Sequence, residues 1–526
     1  MRWRKAMLQT NLWLAFLFLA GAGILPACNF PIPTPLPLPT PFTFPTPNNP
    51  ATGGGGEPVE GPVNSLTPTA LTTPITATPL SATPDVVNNP PILYFTQAGD
   101  TLPVIAAHFG VSPEEIQSSQ PLSAQGLLSP NLLLVIPRKL HNTTASIRLM
   151  PDSEVVYSPS AIGFDVAAFA ASYPGYLNAH EEYLQSTGQT RGVDIVARIA
   201  QDNSINPRLL LALLEYQGHW LTQSAEELSP KARDYPLGYR DAQRKGLFRQ
   251  LAWAVNQLSI GYYGWREGWL TEIVFADGVT ARLAPDLNAG TVALQYFFAQ
   301  LYPSTEWLRV MDPEQGFMAL YRDLFGDPWA RARQVEPLYP PDLTQPPLTL
   351  PFAPGQPWAF TGGPHGAWEH DGARAALDFA PTSATDCRVS YAWVLASAPG
   401  LVVRSAQGVV MLDLDGDGHE QTGWNLLYLH IADQGRVPVG TWVEAGDRLG
   451  HPSCEGGVAT GTHIHFARKY NGEWIAADGP LPFVLSGWVA HAGVRPYQGT
   501  LTKDGQTVVA SPYGVPKSLI VRGEDE

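Results

Sequence analysis

Proline placement sets the first limit on how this 526-residue chain can fold. Of its 51 prolines, 17 fall between residues 29 and 91, interleaved with threonine and the Gly53-Gly54-Gly55-Gly56 run. Proline fixes φ and lacks an amide donor, so such a stretch builds neither a helix interior nor a central strand. With almost no apolar periodicity, residues 29–91 are expected to be a disordered tether of polyproline II character. At about 3.1 Å per residue it would reach up to roughly 200 Å when extended. A second concentration, from Tyr339-Pro340-Pro341 through Pro351, Pro354 and Pro357, marks a boundary between folded regions. The length itself calls for two or three folded units rather than one core.

The residues before the tether carry Arg2, Arg4 and Lys5, then an uncharged apolar run from Leu12 to Leu25, then Pro26-Ala27-Cys28. This is the pattern of an export signal, too short for a comfortable membrane span. The Leu-x-Ala-Cys ending resembles the bacterial lipobox, which implies that Cys28 is lipidated and that the protein is exported and held at the bacterial cell envelope by a lipid anchor. Of the 3 Cys in the chain, Cys387 and Cys454 then remain, and an even pair in an oxidising compartment favours a disulfide. A formal charge of -15 and a pI near 5.2 exclude nucleic acid as the expected partner, because phosphates require basic patches. No residue reports on oligomeric state.

Residues 92–140 open with Tyr94-Phe95-Thr96-Gln97-Ala98-Gly99-Asp100-Thr101-Leu102. An amphipathic stretch follows (Val104, Ile105, Ala106, Phe109, Val111), then a second segment around Ile116, and the close is Leu132-Leu133-Leu134-Val135-Ile136-Pro137. The patterns predict strand, helix, helix, strand. These residues resemble the lysin-motif (LysM) family, which implies a βααβ fold that binds the glycans of peptidoglycan. Ser119-Gln120-Pro121 departs from the family, which commonly has Asn after its second helix.

Residues 150–345 are expected to be mainly helical. Asn206-Pro207 supplies a capping side chain and a first-turn proline before Leu209, Leu210, Leu213 and Leu214. Further helices are expected over Leu251–Leu258, Val292–Leu301 and Phe317–Leu324. The segments Ile205–Trp220 and Gly246–Trp265 are faintly similar to lysozyme-like transglycosylase and glucosaminidase folds. That resemblance would make Glu215 a general acid, partly desolvated beside the apolar face. Tyr216 after it and Gly246-Leu247-Phe248-Arg249-Gln250 match those families loosely, so a helical scaffold is the favoured reading.

Residues 346–500 read as short strands between Gly- and Asp-rich turns, an antiparallel β-rich region, with 501–526 as a tail. Overall the chain is expected to be a multidomain α+β protein. Into the strands are set Gly363-Pro364-His365, Ala376-Leu377-Asp378-Phe379-Ala380-Pro381, Tyr428-Leu429-His430 and Gly461-Thr462-His463-Ile464-His465-Phe466. Two neutral imidazoles and one carboxylate would leave Zn2+ a net positive charge and an open position for acidifying water and polarising a carbonyl. On a strand, His463 and His465 share a face. From the residues alone, both His365 and His370 precede Asp378 and qualify as ligands.

These segments resemble the lysostaphin and LasA-like (LytM-type) zinc endopeptidases, which cut peptides of peptidoglycan and have a fold of the duplicated hybrid motif type. The resemblance implies that His365, Asp378 and His465 hold zinc, that His463 activates water and that His430 supports it and stabilises the oxyanion. It also selects His365 over His370, because Gly363-Pro364-His365 matches the family's entry to the site. Two other readings compete: a glycosidase centred on Glu215, and a non-catalytic wall-binding activator of other hydrolases. Asp413, Asp415 and Asp417 carry oxygens at alternate positions that could hold calcium. A polar hairpin turn is the favoured reading there, because no distal bidentate Glu follows.

Overall fold

The computed structural model describes residues 89–526 except 341, 385 and 526, and these residues belong to one compact unit. The expected export segment, Cys28 and nearly all of the expected tether lie outside the described residues. Among the described residues no helix is long and apolar enough to cross a membrane.

The first region holds strands β1 (Ile92–Phe95), β2 (Gln117–Ser118) and β3 (Leu133–Ile136), with helix α1 (Leu102–Phe109) between the first two. Thr101 caps α1 by accepting from Val104 N, and Gly110 ends it at φ 64°, a left-handed position natural to glycine. Ile105, Phe109, Leu134 and Ile136 form its core. The expected second helix is replaced by a 3-10 turn at Pro113–Glu115, so the order is not βααβ. Beyond the turn, Gln117 and Ser118 pair with Val135 and Leu134, and Pro121 disfavours helix in the residue before it.

Four longer helices anchor the middle region: α2 (Gly192–Asn203), α3 (Pro207–Gly218), α4 (Leu247–Arg266) and α5 (Ala289–Ala299). Asn206 caps α3 by accepting from Arg208 N. Leu209, Leu210, Leu211, Leu213 and Leu214 are all buried, as expected of a helix surrounded by protein. Helices α4 and α5 meet closely at Gly261, where a Cβ would lie 2.8 Å from Ala293 Cα. Two small hairpins, Glu181–Arg191 and Glu272–Arg282, interrupt the otherwise helical region.

Nine antiparallel strands form the principal sheet of the C-terminal region. They are β4 (Pro357–His365), β5 (Ala376–Pro381), β6 (Gly400–Ala406), β7 (Val409–Asp413), β8 (Trp424–Leu429), β9 (Trp442–Val443), β10 (Ile464–Tyr470), β11 (Glu473–Trp474) and β12 (Leu519–Val521). The order is β9-β6-β7-β8-β10-β5-β4-β12, with β11 pairing β10. Residues 501–526 are therefore not a mere tail: Leu519–Val521 pairs with β4, and buried Ile520 enters the core.

Side chains alternate between the two faces of this sheet. Val410, Leu412, Leu426, Tyr428 and Phe466 fill a core internal to the C-terminal region. Val409, Met411, Leu427, Leu429 and Ala467 turn the other way and share a core with α2 to α5. Buried ion pairs pin that contact. Arg404 binds Asp202 at 2.5 Å and Glu420 at 3.1 Å, and Lys469 binds Glu420 at 3.0 Å. At the end of α4, Arg266 binds Asp152 and Glu473, each at 2.9 Å, and donates to Ala98 O. One guanidinium thus joins all three regions. Removing a partner from such a buried pair strands a charge at a cost of about 3–5 kcal/mol.

Candidate metal centre

Register brings the predicted ligands together. His465 on β10 lies directly opposite Asp378 on β5, and Asp378 lies opposite Gly362 on β4, three residues before His365. Gly362 must be bare there, since a Cβ would sit 2.4 Å from Asp378 Oδ2. His365, Asp378 and His465 are all buried, and each offers one ligand atom within 4.8 Å of the others.

The outer nitrogens of the two imidazoles decide what the inner ones can do. His365 Nδ1 donates to Gly363 O at 2.9 Å, and His465 Nε2 donates to Ala367 O at 2.8 Å. These anchors assign the tautomers. They leave His365 Nε2 and His465 Nδ1 as bare lone pairs 3.0 Å apart. Asp378 Oδ1 lies 3.3 Å from the first and 3.4 Å from the second, and it is buried without a hydrogen-bond partner. Two lone pairs and an orphaned carboxylate oxygen repel one another unless a positive charge joins them. A three-coordinate zinc site with an open position fits this donor set.

Electrostatics match the geometry. Burial opposes the charge on Asp378, yet the imidazoles of His365, His465 and His463 outweigh it and hold the carboxyl well below its ordinary value. Burial likewise opposes charge on His365, but Asp378 outweighs it and raises the group. His465 is lowered, chiefly by burial.

Two further histidines stand beside the cluster. His463 Nδ1 donates to Gly461 O at 2.7 Å, and its Nε2 lies 3.8 Å from Asp378 Oδ1. His430 follows β8 with φ 69°, donates from Nδ1 to Glu455 O at 2.8 Å, and has its ring 4.6 Å from that of His463. Burial, then the neighbouring His463 and His465, push His430 down to about 3, so it is neutral at physiological pH. Both imidazoles thus keep Nε2 free of protein hydrogen bonds in this arrangement.

The disulfide Cys387–Cys454, with Cα atoms 5.3 Å apart, ties down the loop leading to His463. Thr462 N and Oγ1 donate to Asp386 O and Arg388 O on the opposing loop. His370 is not part of the cluster: its exposed side chain pairs with Asp371, which is held by Asn256 of α4. Glu215 is placed elsewhere, with its carboxylate accepting from Leu221 N, Thr222 N and Thr222 Oγ1. It serves as a fastener for the turn after α3. Sequence reasoning missed Tyr497, whose ring stacks on His365 at 4.1 Å, and the Ala367 carbonyl. Neither had a local signal, because both reach the site through loop closure.

The arrangement could hold a metal ion between His365, Asp378 and His465, with two further imidazoles beside it whose Nε2 atoms are acceptors. Residues 148–340 match the family described as LasA, N-terminal domain. Over 349 residues the chain is 29% identical to Protease LasA of Pseudomonas aeruginosa strain UCBPP-PA14 and equally to that of strain PAO1, covering 62% of this chain and 75% of each relative. Among solved structures, the deep-sea M23 metalloprotease pseudoalterin is 23% identical, with 32% of this chain and 96% of that chain covered at a TM-score of 0.27. The catalytic domain of lysostaphin from Staphylococcus simulans is 22% identical, with 23% and 87% covered at a TM-score of 0.17.

Proposed function

We propose that the C-terminal region is a zinc-dependent endopeptidase that cleaves peptide bonds in peptidoglycan. The observation that carries this reading is the orphaned Asp378 Oδ1 between the bare nitrogens His365 Nε2 and His465 Nδ1. Similarity to Protease LasA over most of that relative's length supports a peptidase. Zinc held by these three residues would acidify a water and polarise the scissile carbonyl.

The chain's own groups supply the remaining work. His463, anchored through Nδ1, presents Nε2 beside the triad and accepts the proton of the attacking water. His430 is anchored the same way, with its proton on Nδ1 and its Nε2 an acceptor, so it would support the charge that develops on the carbonyl oxygen only with a proton on Nε2. The Gly461 and Glu455 carbonyls hold both rings in register, so little reorganisation accompanies the reaction.

Two expectations extend the reading to location. Residues 92–140 would act as a LysM-type glycan-binding module that raises local substrate concentration. Cys28 would carry the lipid anchor of an exported, envelope-held enzyme. The glycosidase alternative loses ground at Glu215, whose oxygens are already taken by three donors of its own loop.

Purified peptidoglycan is digested with wild type, His463→Ala and Glu215→Gln proteins, and the new ends are identified by mass spectrometry. New amino termini are expected from wild type and Glu215→Gln, with few from His463→Ala. New reducing sugar ends that vanish in Glu215→Gln would replace this reading with the glycosidase.

A further inference from the structure

The loop joining β7 to β8 runs Asp413-Leu414-Asp415-Gly416-Asp417-Gly418-His419-Glu420-Gln421-Thr422-Gly423. Asp413, Asp415 and Asp417 each place an oxygen within 4.8 Å of the other two. Burial, then neighbouring Asp415 and Asp417, raise Asp413 to about 6 against the Gly418 amide that lowers it. Hydrogen bonds shape the loop: Asp413 accepts from Asp415 N at 3.3 Å and from Gly418 N at 2.9 Å, and Asp417 accepts from His419 N and Thr422 Oγ1. Each carboxylate has about four lone-pair sites, so coordination capacity remains.

Acidic spacing alone is ordinary turn chemistry, and the deciding group comes from the sheet. Asn425 pairs directly with Asp413 across β7 and β8, so both side chains leave the sheet on one face at the mouth of the loop. Asn425 is fully buried. Its Nδ2 donates to Thr422 O on the returning limb at 2.7 Å, while its Oδ1 has no hydrogen-bond partner. An amide oxygen buried at the mouth of a loop that carries three carboxylates gains no donor from them, because all are acceptors. A cation would give it a partner.

We infer that this loop binds a calcium-sized divalent cation through one oxygen each of Asp413, Asp415 and Asp417 and through Asn425 Oδ1. Oxygen ligands at the first, third and fifth positions with glycine at the sixth form the opening half of a calcium loop, and Gly418, at φ 88°, holds that sixth place. The twelfth position, where such loops carry a bidentate Glu, is Trp424. Asn425 supplies the distal oxygen one residue later, delivered by strand pairing. The donor set is all hard oxygen, unlike the imidazole-rich cluster around Asp378, and tolerates calcium's flexible geometry better than magnesium's strict octahedron. The same loop carries Glu420, which binds Arg404, Lys469 and Gln201 of α2, so the cation would order a contact between the helical and C-terminal regions.

Terbium reports on the site because the Trp442 ring lies against Gly416, where a Cβ would sit 2.8 Å from it, close enough to sensitise a bound lanthanide. The full chain is titrated with terbium and then with calcium or magnesium, alongside His465→Ala to separate the metal centre. Saturable emission is expected in both proteins, displaced by calcium and far less by magnesium. It should be lost in the Asp415→Asn/Asp417→Asn double variant, whose changes lie on exposed residues and whose fold is checked by thermal unfolding in chelator. Asn425→Ala should weaken calcium at least tenfold, and Asn425→Asp should restore it. Absence of calcium-displaceable emission in wild type, or its survival in the folded double variant, overturns the site. Equal displacement by magnesium overturns its assignment to calcium.

Discussion

Asp378 and Glu215 are both buried carboxylates beside a histidine, yet their surroundings give them opposite work. Glu215 accepts three hydrogen bonds from Leu221 and Thr222, all donors within seven residues of it. Asp378 leaves Oδ1 without a donor and turns it toward two imidazole nitrogens whose protons lie on their far sides. A saturated carboxylate fastens a loop, whereas an orphaned one facing lone pairs marks a place for a cation. Burial and proximity to histidine do not separate the two, but donor accounting does.

The sharpest way to break the comparison is to neutralise Asp378. Asp378→Asn should abolish stoichiometric zinc, measured by elemental analysis. Peptidoglycan hydrolysis should fall by more than about 100-fold, since losing even an outer partner of a metal ligand costs about 10–100-fold. Full zinc content in that variant would mean the orphaned oxygen has another purpose. His365→Ala should behave the same way, while His370→Ala should keep both zinc and activity, because its side chain sits at the surface with Asp371. The reverse outcome would transfer the ligand role to His370.

A smaller effect tests the other half. Glu215→Gln keeps the shape but replaces one acceptor oxygen with a donor amide facing donors. Unfolding free energy should drop by about 1–3 kcal/mol, read from denaturant melts, with peptide hydrolysis per folded molecule unchanged. Loss of activity without loss of stability would return Glu215 to the chemistry.

Much of the centre was legible because strand periodicity and short motifs are local. Gly363-Pro364-His365, Asp378 and the His463-Ile464-His465 strand could be read from sequence, and the register then brought them together. The 3-10 turn at Pro113–Glu115 was not, since a second short helix and a turn running into β2 share the same few residues, and pairing with β3 decided between them. The edge strand Leu519–Val521 was hidden for a similar reason: its partner, β4, lies about 160 residues earlier, and non-local pairing has no signature in a short window. Asn425 shows the limit most plainly. Beside Trp424 it reads as the start of an ordinary strand, and only the pairing with Asp413 reveals its oxygen at the mouth of the loop.

The same accounting extends to imidazoles and gives an effect read only as a pH slope. His108, on α1, is a fastener: its Nε2 donates to Trp265 O at 3.0 Å and its ring stacks on Trp265 at 3.5 Å. Burial pushes it down to about 3, against about 6.5 when unfolded. Between those values the unfolded chain holds a proton that the folded chain does not, so stability must fall as pH drops through 6.5 toward 3. One such group contributes a slope of up to about 1.4 kcal/mol per pH unit. His108→Gln keeps an amide that can donate to Trp265 O but cannot titrate, so its unfolding free energy should depend less steeply on pH over that window by up to this amount. His430, also held near 3, should leave a second contribution of the same sign in that variant. An unchanged slope in His108→Gln would mean that His108 becomes charged without leaving its place against Trp265, and that donor saturation alone does not identify a fastener.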